Sequence, residues 1–158
     1  MKCLVTGGAG FIGSNLVDRL IKEGHQVIVV DNESSDANEK FYWNEKAENH
    51  KLDVCVYEDI YDLFNGVDVV FHLAAEARIQ PSIENPRQAV YSNVVGTFNI
   101  LEASRHQGVK RVVYSSTSSA YGLKNNPPLK EEMKKDCLNP YSVTKTCGRN
   151  GTNVFFTI

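Results

Sequence analysis

The chain lacks any apolar run near the ~18 residues a membrane-spanning helix needs, so no membrane span is expected. It lacks a C-x-x-C pair: Cys3, Cys55, Cys137 and Cys147 are scattered. That spacing predicts free thiols in a reducing cytoplasm and argues against a disulfide framework or a metal site. It lacks an excess of basic charge, with 17 Lys and Arg against 19 Asp and Glu and a net charge of −2. No broad positive field is then available for nucleic acid or anionic lipid. No secretory leader is expected either, because MKCLVTGGAG turns to glycine after three apolar residues. Repeats, low-complexity tracts and inter-domain linkers are missing as well.

What is present is one domain's worth of ordinary globular sequence: 158 residues, 42% hydrophobic and 23% charged. Short β-branched runs alternate with helical patterns. KCLVT at 2–6, QVIVV at 26–30, DVVFHL at 68–73 and KRVVYS at 110–115 read as buried strands, and a further strand is expected around 51–54. FIGSNLVDRLIK at 11–22 places Phe11, Ile12, Leu16, Leu20 and Ile21 at helical spacing, with Gly24 as a stop. A short helix is expected at 57–65 and a long one at 87–107, closed by Gly108. Another should start near Asn139-Pro140. Residues 32–48 are polar and read as a loop with a short helix, and 123–138 as a polar loop. Strands alternating with helices predict βαβ units in a parallel sheet, and the nearly all-apolar strands predict that both faces are covered.

T6-G-G-A-G-F-I-G13 sits between the first strand and the first helix and spaces Gly7, Gly10 and Gly13 as G-x-x-G-x-x-G. Small residues there let backbone N–H groups approach a pyrophosphate, whose charge the helix N-terminus favours. Taken alone, the pattern also suits a plain tight turn. Asp31, however, ends the second strand 18 residues after Gly13, close to the ~20 expected of a ribose-binding acid. A carboxylate there accepts hydrogen bonds from ribose hydroxyls and repels a 2′-phosphate, which favours NAD over NADP.

With these residues the chain resembles the extended short-chain dehydrogenase/reductase superfamily, in its NAD-dependent nucleotide-sugar epimerase/dehydratase branch. The resemblance covers about residues 1–149. It rests on TGGAGFIG at 6–13, Asp31, HLAA at 72–75, NVVGT at 93–97, SSTSSAYG at 115–122 and YSVTK at 141–145, in that order. It implies a doubly wound α/β Rossmann fold holding NAD. Gly7, Gly10, Phe11, Ile12 and Gly13 would cradle the pyrophosphate, and Asp31 and Asn32 the adenosine ribose. Asp53 and Val54 would lie beside the adenine. Leu73, Ala74 and Ala75 would line the nicotinamide side. Asn93 and Ser115 would stand near the cofactor, Asn93 in a structural role. Thr117, five before Gly122, matches the catalytic Ser/Thr. Tyr141 and Lys145 match the catalytic pair and also contact the cofactor. The segment 32–48 departs from the family by lacking its Gly-rich loop.

An unperturbed tyrosine, with a pKa near ~10, is a poor base at neutral pH. A lysine four residues on lies one helical turn away on the same face, and its charge favours the phenolate. Thr117 could relay a hydrogen bond at the reacting oxygen. The resemblance then implies transient oxidation of a sugar alcohol and return of the hydride to the other face of a keto sugar. Ser118 and Ser119 follow Thr117 where a 4,6-dehydratase carries acidic residues, which leans toward an epimerase. His72 reads as a strand-end histidine, and His25, His50 and His106 have no partner pattern. Trp43 and Tyr42 read as local packing. Glu76, Arg78, Gln80 and Ser82 lie on a segment that faces substrate in the family. Lys130–Lys135 reads as solvated.

In the family, the helix after Lys145 continues as K-x-x-G-E, and a sixth strand and a substrate domain follow. Here Gly148 is followed by RNGTNVFFTI, in which Asn150, Gly151 and Asn153 are poor helix formers. The expectation is a cofactor domain at 1–149, a divergent tail at 150–158 and no family substrate domain. With chosen codons, the tail read one base later gives E-M-V-Q-M-F-S-S, so a frameshift is one explanation. VFFTI at 154–158 could patch an uncovered sheet edge. Two readings follow. One is the cofactor-binding part of an NAD-dependent UDP-sugar epimerase, cytoplasmic, with a homodimer as one option because relatives often dimerise, and with little or no turnover expected. The other is a non-catalytic NAD-binding module or inactive remnant.

Overall fold

The computed structural model describes residues 1–36 and 38–156. Five parallel strands form the sheet in the order β3-β2-β1-β4-β5. β1 is Lys2–Thr6, β2 Gln26–Asp31, β3 Glu48–Lys51, β4 Val69–His72 and β5 Arg111–Tyr114. Between them run α1 (Phe11–Lys22), α2 (Tyr57–Ile60) with a 3₁₀ turn at Tyr61–Phe64, α3 (Ile79–Glu84), α4 (Pro86–Val90) and α5 (Gly96–His106). After β5 come a 3₁₀ turn at Ser118–Tyr121 and α6 (Pro140–Phe156). This is the parallel βαβ sheet that the strand and helix patterns predicted, in the doubly wound order that the resemblance implied.

Alternation along the strands divides the core into two layers. Leu4, Ile28, Val30 and Val70 pack on one face with Ile60, Phe64, Ile100 and Ala103. Cys3, Val5, Val27 and Val29 pack on the other with Val17 and Leu20 of α1. Strand order reverses between β1 and β4, and such a crevice at the carboxyl ends is where doubly wound sheets bind ligands.

Four elements differ from the sequence expectation. β3 begins at Glu48 rather than 51 and reads ENHK. Among the described residues it pairs only with β2, so an edge strand with solvated side chains carries no apolar signal. No helix forms among the described residues of 32–47; Trp43 and Ala47 instead pack on the α1 layer. The long helix expected at 87–107 is α4 and α5 joined through a π turn at Tyr91–Val95. α3 forms at Ile79–Glu84, in the segment after HLAA for which no helix was expected.

The expectation of a non-helical tail also needs correction. α6 continues through Asn150, Gly151 and Asn153 to Phe156. Gly148 lies against the Tyr114 hydroxyl, and Gly151 against Leu101 and Phe98. Phe155 meets Phe98 edge-on at 5.9 Å. Tertiary packing there overrides weak helix propensity. The suggestion that 154–158 patches a sheet edge falls partly outside the described residues. Those that are described, 154–156, are helical.

Candidate functional site

A cleft of about 500 Å³ opens at the carboxyl ends of β1, β2 and β4. Its floor begins where Thr6 leaves β1. Gly7 takes φ 68°, and a side chain there would meet the Ala74 backbone nitrogen at 2.8 Å. Glycine therefore lets the loop lie against the segment that follows β4. The Gly7 N–H donates to the Val30 carbonyl at 2.8 Å, tying the loop to β2. α1 then starts at Phe11 with no side chain capping its N-terminus. Phe11 and Ile12 are 80% and 68% exposed. Bare helix N–H groups beside small residues form an anion cradle.

Asp31 stands at the end of β2, buried to 9% exposure. Its Oδ2 accepts the Ala9 N–H at 3.1 Å and its Oδ1 the Glu33 N–H at 2.8 Å. The glycine loop and the segment after β2 thus aim one carboxylate. Asn32 donates to Asp53 Oδ2 at 3.2 Å, and the other Asp53 oxygen accepts the Cys55 N–H at 2.8 Å. Burial and the Asp53 contact push the Cys55 thiol up to about 12, leaving it an inert thiol.

The opposite wall is Leu73, Ala74, Ala75 and Glu76, held from behind by a buried chain of hydrogen bonds. The Ala74 N–H donates to Thr6 Oγ1 at 3.2 Å, and Thr6 Oγ1 lies 2.6 Å from His72 Nδ1. On the other side of the ring, Nε2 lies 2.9 Å from Thr97 Oγ1, whose hydroxyl donates to the Asn93 carbonyl at 2.6 Å. Thr97 must therefore accept from His72 Nε2–H, leaving Nδ1 to accept from Thr6. One neutral tautomer satisfies every member. Burial, followed by the charge of Lys145, depresses the His72 pKa to about 3. His72 is thus a strand-end structural histidine.

Asn93 lies outside the cleft lining. Its amide is spent on the Glu76 backbone, accepting at 2.7 Å and donating at 3.1 Å, and on Thr144 Oγ1 at 3.0 Å. It joins the π turn to the wall and to α6. Ser82, buried on α3, accepts the Tyr141 N–H at 3.1 Å. α6 thereby carries Tyr141 and Lys145 to the cleft, where Ser115 also lies. Thr117 does not line it; its hydroxyl accepts the Ser119 N–H at 3.1 Å and caps the following 3₁₀ turn.

Lys145 is 3% exposed, and burial lowers its pKa to about 8. Its ammonium sits 4.4 Å from the Tyr114 ring centroid. Burial raises Glu76, an effect that the Asp36 charge strengthens and Arg78 opposes. Arg78 and Asp36 approach to 3.8 Å, and Gln80 bonds Glu84. Lining residues that the sequence reading did not single out include Ser34, Asn38, Phe41, Ser92 and Ser116. Ser92 and Ser116 could have been found as neighbours of Asn93 and Ser115. The residues of the polar segment 34–41 carry no pattern. Among the described residues no His, Cys, Asp and Glu cluster could hold a metal, and no helix is long and apolar enough to cross a membrane.

Residues 3–153 match the model of the NAD dependent epimerase/dehydratase family. The chain is 39% identical to a UDP-glucose 4-epimerase of Mycolicibacterium smegmatis over 98% of its own length and 51% of that protein's. A crystal structure of UDP-glucose 4-epimerase from Thermotoga maritima, with UDP-glucose, is 36% identical. It superposes with a TM-score of 0.91 over 98% of this chain and 51% of that one. The Thermus thermophilus UDP-glucose 4-epimerase complex with NAD is 30% identical, with a TM-score of 0.89 over 99% and 51%. The chain spans about half the length of the curated relatives it matches.

Proposed function

The chain belongs to the NAD dependent epimerase/dehydratase family, and from that premise we propose that its cleft holds NAD and serves the 4-epimerisation of a UDP-sugar. The observation that carries this reading is convergence. The anion cradle at 7–13, the aimed carboxylate of Asp31 and the Tyr141–Lys145 pair all border one cleft. The cradle fits a dinucleotide because Gly7 and Gly13 hold the loop tight against its own backbone neighbours while the α1 N-terminus keeps its N–H groups without a side-chain cap.

In this reading the N–H groups at the α1 N-terminus bind the pyrophosphate, and Asp31 accepts the adenosine ribose hydroxyls. Asn32, Asp53 and Val54 border the adenosine end, and Leu73, Ala74, Ala75 and Ser115 the nicotinamide end. NAD, when bound, supplies the hydride acceptor. Tyr141 takes the hydroxyl proton of the sugar. Lys145 provides positive charge beside it and orients the nicotinamide ribose. Thr117 caps a turn through its hydroxyl oxygen, which leaves its O–H able to donate toward the sugar oxygen from beside Ser116. Asn93 positions the wall and α6 rather than touching reactants. The UDP-sugar epimerase names of its relatives support a UDP-sugar as the substrate, and a cytoplasmic homodimer is the expected setting.

The test is to incubate the NAD-loaded chain with UDP-glucose and UDP-glucuronate and to follow epimer formation by chromatography. Formation that Tyr141→Phe abolishes supports the reading. NAD binding without epimer formation favours a non-catalytic nucleotide-binding module.

A further inference from the structure

Glu33 is the one non-glycine residue at positive φ among the described residues, at 56°. A side chain in the left-handed region persists only where its surroundings hold it. Here they hold it at three points. Its N–H donates to Asp31 Oδ1 at 2.8 Å. Its Oε1 accepts from Trp43 Nε1 at 2.8 Å, and its Oε2 from the Lys51 ammonium. Trp43 is itself anchored on the α1 layer.

Lys51 has a second relationship. It is the register partner of Asp31 across β2 and β3. Paired residues of parallel neighbours point to the same face of the sheet, so the nearest strand cation stands beside the ribose-binding acid. Glu33 diverts that ammonium into an ion pair.

We propose that the Glu33–Lys51–Trp43 clamp is a cofactor-selecting device. It fixes Asp31 to accept a ribose diol, and it withholds the Lys51 ammonium from the position that a 2′-phosphate would occupy. Glu33 is a positioning residue, acting through Asp31 and Lys51. This inference rests on the dinucleotide reading of the cleft and goes beyond it, because Asp31 alone repels a phosphate whatever its neighbours do. The device adds that a cation able to offset that repulsion is present and is neutralised.

The experiment titrates NAD and NADP into the wild-type chain, Glu33→Gln, Lys51→Met and the double variant, with thermal melting to confirm folding. Glu33→Gln keeps an acceptor for Trp43 and removes the ion pair. It is expected to raise the NADP:NAD affinity ratio about three- to tenfold, the range one charged contact at a partly exposed site supplies. Adding Lys51→Met should return the ratio to the wild-type value. A merely structural role would weaken both dinucleotides alike, and an unchanged ratio in Glu33→Gln overturns the proposal. If Glu33→Gln does not fold, Lys51→Met alone decides. It leaves an unpaired carboxylate near Asp31 and must lower the ratio, whereas an unchanged or higher ratio overturns the proposal. Failure of the folded wild-type chain to bind NAD would instead remove the dinucleotide reading, and this inference with it.

Discussion

Lys145 and Tyr114 support each other across the join of α6 and β5. The Lys145 ammonium lies over the Tyr114 ring, and the Tyr114 hydroxyl donates to the Lys145 carbonyl at 3.2 Å. The ring favours the cation, but burial wins and lowers the lysine pKa from 10.5 to about 8. The aromatic contact therefore steadies a charge that its site disfavours.

The Lys145 contribution to stability should consequently rise with pH between about 8 and about 10.5, against the fall that the raised Cys55 thiol brings above about 9. In that window the native chain has released the Lys145 proton and the unfolded chain still holds it. Lys145→Met should flatten this limb. At pH 7 it should raise the melting temperature by about 2–4 °C for each kcal/mol of burial cost removed. Thermal unfolding of both proteins across pH 7–11 checks it.

His72 gives the opposite limb. Its proton is held near 6.5 when unfolded and near 3 in the fold. The unfolded chain thus binds more protons in between, and stability falls as pH drops from about 6.5 toward about 3. His72→Phe should flatten that acid limb. It should also cost about 2–4 kcal/mol at neutral pH, since the Thr6 and Thr97 hydroxyls lose their buried partner. Urea unfolding at pH 4, 5.5 and 7 separates the two effects.

At Gly13 a methyl group would fall on the Gly7 carbonyl oxygen and lie 2.7 Å from Gly8 Cα. Gly13→Ala should push α1 away from the loop and open the anion cradle. Overpacking of this kind costs about 1–3 kcal/mol. If that is drawn from binding, NAD affinity falls about tenfold or more. Calorimetric titration reads the loss, and circular dichroism shows whether the helices survive.

The sequence made the site's chemistry legible where one residue type does one job. Glycines at 7, 10 and 13, an acid closing β2 and a Tyr–Lys pair one helical turn apart all border the cleft. Strands β1, β2 and β4 were readable because burial writes a run of apolar side chains; β5 carries a similar run, but it lies at the sheet edge and leaves Arg111 and Val113 exposed rather than buried as expected. β3 was not, since an edge strand of Glu, Asn, His and Lys looks like loop. Counting within a motif brought Thr117 and Asn93 near the cleft but could not say which way each side chain faces. Thr117 caps a turn and Asn93 bonds the Glu76 backbone. The tail helix was misread because propensity gave no hint of the room that Gly148 and Gly151 leave for Tyr114, Leu101 and Phe98. Glu33 escaped notice for a similar reason, as a positive φ and a three-point clamp exist only in the folded chain.

The most direct test of the account is calorimetric titration of the purified chain with NAD, beside an Asp31→Ala variant shown to be folded. The account predicts saturable binding at one NAD per chain, weakened about tenfold or more when the ribose-facing carboxylate is lost. A folded chain that takes up no NAD, or binds it equally well without Asp31, would contradict it.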